Sequence, residues 1–456
     1  MDAALTRIAT EFTMHRRQWL KTMGGAALAW ALPATVSRVY ALPAQADARF
    51  LLVFLRGGYD AASVLVPAGS DFYYAARPNI AIPRPPAAGA DADPGAAVAL
   101  APAFAADSAA RGIGDWALHP ALGQTMLPLW QRGQLAFVPF AGTHDLTRSH
   151  FETQDAIEAG LPGAGDDPRD NNRGQLAALR GSGFLNRLAQ AMGGQAAPVA
   201  FTDGLPMVLA GPRDVPNVSL KGSGRTPFDA RQEQLLAQMY RGTRFESLID
   251  EGFELRQAVA RQAEASAGDM GGGNMAARQQ EMQAANRRSL SARGFELEAR
   301  RMAGLMRERF NLGFIDVGGW DTHVNQGAAQ GQLAGLLDNL GRGLSAFADG
   351  MGPAWRGTTV VVLSEFGRTF RENGTRGTDH GHGTVYWVAG GAVRGGRIAG
   401  EQVAVERAAL NQDRDWPVRN EYRAVLGGLF QRLYGLDAGR LGQVFPGVAG
   451  RDLGLV

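Results

Sequence analysis

The chain has 456 residues, 45% of them hydrophobic and 20% charged, a balance typical of a globular protein with a large core. Its 46 Lys and Arg residues nearly equal its 44 Asp and Glu residues, so the composition gives no indication of a nucleic-acid-binding surface. Because the chain contains no cysteine, disulfides, thiolate metal sites and cysteine nucleophiles are excluded.

The first 46 residues differ in character from the rest. Paired arginines at 16–17 precede an apolar run over 23–36, which is followed by small residues. This order is typical of a twin-arginine (Tat) export signal that is removed on maturation. The apolar run is shorter than the roughly 20 residues that span a bilayer. We therefore expect a periplasmic or extracellular protein without a transmembrane segment after cleavage, its signal starting at Met1 or Met14.

Five apolar runs in the remaining chain predict strands, at residues 50–55, 134–142, 312–317, 358–364 and 384–391. Helical patterns lie between them, including a long helical insertion over about 229–310. Strands that alternate with helices predict a mostly parallel sheet covered on both faces. We therefore expect residues 47–456 to form one α/β domain that carries this insertion.

The segment SHFETQD follows the second predicted strand and begins with Ser149. Its pattern predicts a helix with Ser149 as the N-cap. Glu152, three residues later, completes the pattern of a capping box. Ser149 taken alone is therefore explained as a helix cap.

Histidines and acids lie beside the predicted strand ends. The histidines are His144, His150, His323, His380 and His382, and the acids are Asp60, Asp145, Asp321, Glu365 and Asp379. The loops at the carboxyl ends of parallel strands share one edge of the sheet, so these side chains can meet there. Imidazoles and carboxylates are ligands for divalent metals such as Zn or Mn. Each residue alone also has a structural interpretation, since Asp60 can simply close the glycine turn before it.

Five motifs carry a resemblance to a known family: FLRGGYDA, SHFETQD, GGWDTH, LSEFGRT and GTDHGHG, in that order. With the twin-arginine leader, they resemble the exported family known as domain of unknown function 1501, which is grouped with the alkaline phosphatase and sulfatase superfamily. The resemblance implies an alkaline-phosphatase-like, three-layer α/β/α sandwich. It also implies two metals at the strand ends and a hydroxyl nucleophile at a helix N-terminus.

The resemblance also implies residue roles, carried over by position. One metal would be held by Asp60, Ser149 and Glu365, with His380, and the other by Asp321, His323 and His382. Ser149 would attack, with Thr143, Thr147 and Thr153 as alternative nucleophiles, or His150 would orient the site. Residue type and proximity to the motifs, and not the resemblance, indicate Arg148 or Arg368 as the partner of the substrate anion. The metals are expected to be Zn or Mn, with Ca as an alternative. Where many superfamily members have Asp-His after a strand, this chain has Glu365-Phe366, so one histidine must come from elsewhere, and GTDHGHG is the candidate source.

These features lead to two functional hypotheses. The first is an exported metal-dependent hydrolase of phosphate or sulfate esters, small or glycan-linked, in which Ser149 or a metal-bound water attacks. The alternative is a non-catalytic exported binding or assembly protein that retains the phosphatase-like fold and contacts an envelope partner. A redox protein has little support, because the turn at 57–58 is not a dinucleotide-binding fingerprint.

Overall fold

The structure, a computed structural model, describes residues 48–87, 91, 93–100, 116–162, 181–220, 237–243, 246, 249, 252–254 and 292–456. The expected export signal at 1–46 lies outside these residues, as does most of the expected helical insertion. Among the helices that are described, none combines the length and apolar character needed to cross a membrane.

The described chain is organised around an eight-stranded sheet. In chain order the strands are β1 Arg49–Leu55, β2 Leu65–Val66, β3 Val98–Ala99, β4 Ala117–Leu118, β5 Leu135–Gly142, β6 Pro198–Ala200, β7 Leu312–Val317, β8 Thr358–Ser364, β9 Thr384–Ala389, β10 Arg397–Ile398 and β11 Asn420–Glu421. The large sheet has the order β10-β5-β9-β8-β1-β7-β6, and β11 pairs with β5. The short strands β2, β4 and β3 form a separate sheet.

All strands of the large sheet except β9 run in the same direction. β1 pairs in parallel with both β7 and β8, whereas β9 is antiparallel to its two neighbours, β8 and β5. The predicted mostly parallel sheet is therefore confirmed. Because β9 is reversed, its first residue lies at the edge where the parallel strands end. The motif GTDHGHG, which precedes β9, reaches that edge for this reason.

Helices cover both faces of the sheet. They are α1 Ala61–Val64, α2 Asp71–Ala76, α3 Met126–Gln131, α4 His150–Ala159, α5 Phe184–Met192, α6 Ala292–Glu308, α7 Gln332–Met351, α8 Tyr422–Tyr434 and α9 Ala438–Val444. Residues of α6 and α7 pack into one apolar core, and residues of α5, α8 and α9 pack into a second.

The central strand β1 contributes to both cores by alternation. Leu51, Val53 and Leu55 belong to the core that contains α6 and α7, whereas Phe50, Leu52 and Phe54 belong to the other. Successive side chains of a strand point to opposite faces, so a strand buried on both sides is apolar throughout. The unbroken apolar run of β1 is explained by this double burial, and the helices and sheet form three layers.

Helix α4 begins as the sequence predicts. Ser149 is its N-cap, and the Ser149 hydroxyl accepts a hydrogen bond from the Glu152 amide. The Ser149 amide donates to the Thr147 hydroxyl at 3.3 Å, so the return bond of a capping box is replaced by a contact with the preceding loop. The helix ends at Gly160, which adopts the left-handed conformation with φ 66°.

His119 makes the stability of the fold sensitive to acid. Its buried ring accepts a hydrogen bond from the Ala121 amide and donates to the Ala328 carbonyl, both at 3.1 Å, which fixes a neutral tautomer. Burial lowers the pKa of His119 from 6.5 to about 4. Between these pH values the unfolded chain binds a proton that the folded chain does not.

We expect His119 to contribute stability that is fully present above about pH 6.5 and is lost as the pH falls toward 4, by about 3 kcal/mol in total. In His119→Gln, the slope of unfolding free energy against pH should fall by close to one proton in this window. Urea unfolding between pH 4.5 and 7.5 measures the slope. Equal slopes in the variant and the wild type would contradict the expectation.

Candidate metal site

Three imidazoles and a carboxylate meet at the edge where the parallel strands end. His380 Nε2 lies at the centre, 2.9 Å from His150 Nε2 and 3.1 Å from His323 Nε2. Asp321 Oδ1 lies 3.2 Å from His380 Nε2 and 2.9 Å from His323 Nε2. We call these four residues the histidine cluster. His150 comes from the first turn of α4, Asp321 and His323 from the loop after β7, and His380 from the loop before β9.

The other ring nitrogen of each histidine faces an acceptor outside the cluster. His150 Nδ1 lies 2.7 Å from Glu365 Oε1, and His323 Nδ1 lies 3.2 Å from Asp379 Oδ1. His380 Nδ1 lies 3.1 Å from the main-chain carbonyl of Arg148. A carbonyl or carboxylate only accepts, so Nδ1 is the donor in each pair. In the neutral form of each ring, Nε2 is then left with a lone pair.

Three lone pairs therefore converge beside the carboxylate of Asp321. His150, Asp321 and His380 offer donor atoms that all lie within 4.8 Å of one another, as the ligands of one metal ion must. Facing lone pairs repel each other unless a cation lies between them. Metal-bound histidines characteristically donate their second ring N–H to a carboxylate or carbonyl, as these do. The donor set and its outer partners thus fit a divalent metal.

Glu365 holds the ring of His150 through Nδ1, the nitrogen that faces away from the cluster. Its Oε1 accepts hydrogen bonds at 2.8 Å from the Gly57 amide and from Gln154, and its Oε2 accepts one from Ser364. Burial alone would raise the pKa of Glu365, but hydrogen bonds from His150, Gln154 and Ser364 hold it below its ordinary value. The hydrogen bond between His150 and Glu365 in turn raises the pKa of His150. Glu365, which sequence resemblance assigns to a metal, thus contacts the cluster through an imidazole.

The charges within the cluster favour an unprotonated His380. Burial lowers the pKa of His380, and the nearby charges of His150 and Arg368 lower it further. Burial raises the pKa of Asp321, but the guanidinium of Arg368 outweighs this effect, and the net pKa lies below the ordinary value. An anionic Asp321 and a neutral His380 are the forms in which these groups bind metals.

Arg368 lies in the site but is directed at the protein. Its guanidinium is completely buried and donates to Asp321. Its remaining hydrogen bonds go to the main-chain carbonyls of Gly57, Gly58, Trp320 and Thr378, and its Nη1 also lies 3.4 Å from His323 Nε2. These contacts tie together three of the loops at the strand ends. Arg368 therefore orients Asp321 and the loop backbones, and its donors are engaged without a substrate anion.

Two glycines allow the loops to come this close. Gly57 has φ 122°, and a Cβ there would lie 2.7 Å from the amide nitrogen of Asp321. A Cβ on Gly381 would lie 2.3 Å from the main chain of Arg368. No side chain can be accommodated at such distances without moving backbone. Gly57 of the motif GGYD and Gly381 of DHGHG are therefore explained by backbone contact around the cluster.

Asp60 lies outside the histidine cluster, contrary to the ligand role that the resemblance implies. Its two oxygens accept hydrogen bonds from Arg77 at 2.5 and 2.9 Å, and its Oδ2 also accepts from Ser63 and Gln326. Asp60 is 1% exposed and Arg77 is completely buried. The carboxylate of Asp60 therefore forms a buried ion pair with Arg77. Arg77 follows Asp60 by 17 residues and lies outside the motifs, and no pattern in the sequence identifies it as the partner.

His382 also lies apart from the cluster. It lines a groove of about 620 Å³ together with His144, Leu146, Asn411 and Arg419. Burial, with the charge of nearby Arg148, lowers the pKa of His382 to about 4. In extended backbone, residues two apart point the same way, but the bridge between Arg368 and His380 and the following turn separate His382 from His380. The two ligand sets expected from the sequence therefore do not form, and one cluster takes their place.

The hydroxyls near α4 serve local structure. Ser149 caps the helix, and Thr153 is buried and donates to Asp145 Oδ2 at 2.8 Å. Thr143 accepts from the Asp145 amide. Sequence reasoning did not find the outer partners Gln154 and the Arg148 carbonyl. A main-chain carbonyl leaves no signal in a sequence, whereas Gln154 follows His150 by four residues and so shares its helix face.

A comparison with curated proteins found no match for the chain. A family model described as "Protein of unknown function (DUF1501)" matches residues 47–445. This range contains the histidine cluster and every motif quoted above. The chain therefore belongs to the DUF1501 family.

Proposed function

We propose that the protein is an exported metal-dependent hydrolase of phosphate or sulfate esters that holds one divalent metal in the histidine cluster. One observation carries the proposal. The Nε2 atoms of His150, His323 and His380 converge beside Asp321, while all three Nδ1 atoms are directed to acceptors outside. This arrangement presets three imidazoles as ligands before any metal binds.

The donor set favours a transition metal. Three imidazole nitrogens and one carboxylate suit Zn or Mn, whereas Ca takes oxygen ligands almost entirely. Asp321 retains a partly exposed side chain, as do His323 and His380. The site therefore faces solvent on one side, which is the arrangement of a catalytic rather than a closed structural metal site. We infer Zn or Mn as the occupant.

The motif series supports the choice of reaction. The resemblance to the alkaline phosphatase and sulfatase superfamily extends over essentially all of the mature chain, and the three-layer architecture is compatible with an alkaline-phosphatase-like fold. A divalent cation held in the cluster would polarise an ester oxygen and lower the pKa of water. Arg368 holds Asp321 in its anionic form, and Glu365 holds the ring of His150. The N-terminus of α4 adds a partial positive charge for the anionic ester.

We infer that water attacks the ester and that Ser149 acts as a helix cap. Ser149→Ala should then keep its metal and keep hydrolysis within about tenfold, while losing about 1 kcal/mol of stability with the cap. Hydrolysis of aryl phosphate and aryl sulfate by metal-loaded protein, with thermal unfolding of the same samples, measures both effects. A loss of roughly a thousandfold with full metal content would instead assign the attack to Ser149.

One observation favours the alternative of a non-catalytic binding protein. Phe151 and Val324 directly follow His150 and His323, and these two residues are 84% and 54% exposed. Apolar side chains next to a site can contact a partner as well as a substrate. Metal-loaded protein that cleaves neither aryl ester across pH 5–9 would support this alternative. Activity that disappears with a chelator and returns with Zn or Mn would support the hydrolase.

A further inference from the structure

The central histidine of the cluster depends on a main-chain acceptor. His150 and His323 are each fixed by a carboxylate, whereas His380 Nδ1 donates to the carbonyl of Arg148 at 3.1 Å. His380 Nε2 is also the atom that lies beside the Nε2 atoms of both other histidines. The direction of that lone pair therefore follows from where the Arg148 carbonyl lies.

The backbone at Arg148 is strained. Arg148 has φ 54°, in the left-handed region that residues other than glycine rarely occupy. Such a conformation persists only where the surrounding structure holds it, and it is often found at functional sites. Interactions with residues outside the local backbone must therefore keep the carbonyl of Arg148 directed at His380.

The buried carboxylate of Asp415 provides this interaction. Arg148 donates to Asp415 Oδ2 from Nε at 3.0 Å and from Nη2 at 2.6 Å, and a further hydrogen bond links Arg148 to Gln412. The side chain of Asp415 is completely buried. Asn411 and Asp415 exchange main-chain hydrogen bonds, which closes their loop and fixes Asp415 in place.

The same loop also contacts His380 directly. Arg414 donates to the main-chain carbonyl of His380 at 2.8 Å. Thr369 follows Arg368, which contacts the cluster, and forms an isolated antiparallel β-bridge with Asp415. The loop 411–415 thus contacts the residue that provides the carbonyl and the histidine that donates to it. None of its residues belongs to the histidine cluster.

We propose that Asp415 is a positioning residue that sets the metal affinity of the cluster by holding Arg148, and through its carbonyl the ring of His380. The inference builds on the proposed metal site. A merely structural ion pair would lower stability on removal and leave the tautomer of His380 and the metal affinity unchanged. The loop offers a matched control, because Asp413 lies two residues away and pairs with exposed Arg407.

The first test compares Asp415→Asn with Asp413→Asn. We expect Asp415→Asn to weaken binding of Zn²⁺ and Mn²⁺ by roughly 10- to 100-fold, measured by chelator competition, and Asp413→Asn to leave it within about twofold. Ring ¹⁵N spectra of histidine-labelled, metal-free protein should show His380 protonated at Nδ1 in the wild type and in Asp413→Asn, and a mixture of tautomers in Asp415→Asn. Unchanged affinity and unchanged tautomer in folded Asp415→Asn would overturn the proposal.

A second pair of variants tests the role of the backbone. Arg148→Gly and Arg148→Ala both lack the guanidinium, but glycine adopts φ 54° without strain. Arg148→Gly should therefore retain more metal affinity and more of the Nδ1 tautomer than Arg148→Ala, and equal losses would contradict the proposal. Wild-type protein that binds neither metal would overturn the proposed function, and the ring spectra of the metal-free variants would still decide the role of Asp415.

Discussion

Replacing Asp60 by asparagine should lower the free energy of unfolding by about 3–5 kcal/mol. The side chains of Asp60 and Arg77 are almost completely buried and are joined by two hydrogen bonds. Burial raises the pKa of Asp60, but Arg77 brings the net pKa below its ordinary value, so the carboxylate is charged. Asparagine would leave the guanidinium buried without an anion and would present an amide N–H₂ to its donors. Urea unfolding at pH 7 measures the loss.

Asp71→Asn provides the control for this prediction. Asp71 pairs with Arg84 at the surface, and its side chain is 96% exposed. Such pairs contribute at most about 1 kcal/mol, so this variant should resemble the wild type. Asp60→Asn should also keep the metal affinity of the folded protein, because Asp60 lies outside the histidine cluster. A loss of metal with little loss of stability would return Asp60 to the ligand role that the sequence resemblance implies.

Replacing His380 by glutamine should weaken binding of Zn²⁺ or Mn²⁺ by at least about 100-fold. His380 is the histidine whose Nε2 contacts both other imidazoles and Asp321. Loss of an outer partner alone costs 10- to 100-fold in affinity, and loss of a ligand should cost no less. Competition with a chelator of known affinity measures the change, and thermal unfolding of the metal-free protein confirms that the variant folds.

His144→Gln is the matched control for this variant. His144 is exposed and lines the groove that also contains His382, away from the cluster. Its replacement removes an imidazole from the same edge of the protein and should leave the metal affinity within about twofold. If His380→Gln and His144→Gln bind metal equally well, then the cluster does not hold the metal.

The sequence was sufficient to predict the framework of the fold. Apolar runs identified β1, β5, β7, β8 and β9, because strands buried on both faces are continuous in hydrophobicity. Ser149 was identified as a cap from its position before an amphipathic segment. The edge of the sheet that carries the histidines followed from the same strand assignments.

The direction of β9 could not be read from its residues. An apolar strand has the same composition whether it runs parallel or antiparallel to its neighbours, and only the pairing with β8 and β5 decides. The placement of DHGHG depends on that direction. The resemblance assigns His380 and His382 to different metals, whereas the path of the chain through Gly381 places His380 in the cluster and His382 in a groove.

The sequence also does not show which acids are candidate metal ligands and which have a structural role. Asp60 and Asp321 both follow a strand and a glycine turn. Asp60 is neutralised by Arg77, whereas Asp321 meets the imidazoles. The partner that decides each role lies outside the motif that contains the acid, so local pattern could not separate them.

The metal content of the purified protein tests the central claim most directly. Elemental analysis after loading with Zn²⁺ and desalting should give close to one metal per chain for the wild type and for His382→Gln, and almost none for His380→Gln. This result would place the metal in the histidine cluster. Two metals per chain, or an equal loss in His382→Gln, would contradict the single site, and a metal-free wild type would contradict the metal site altogether.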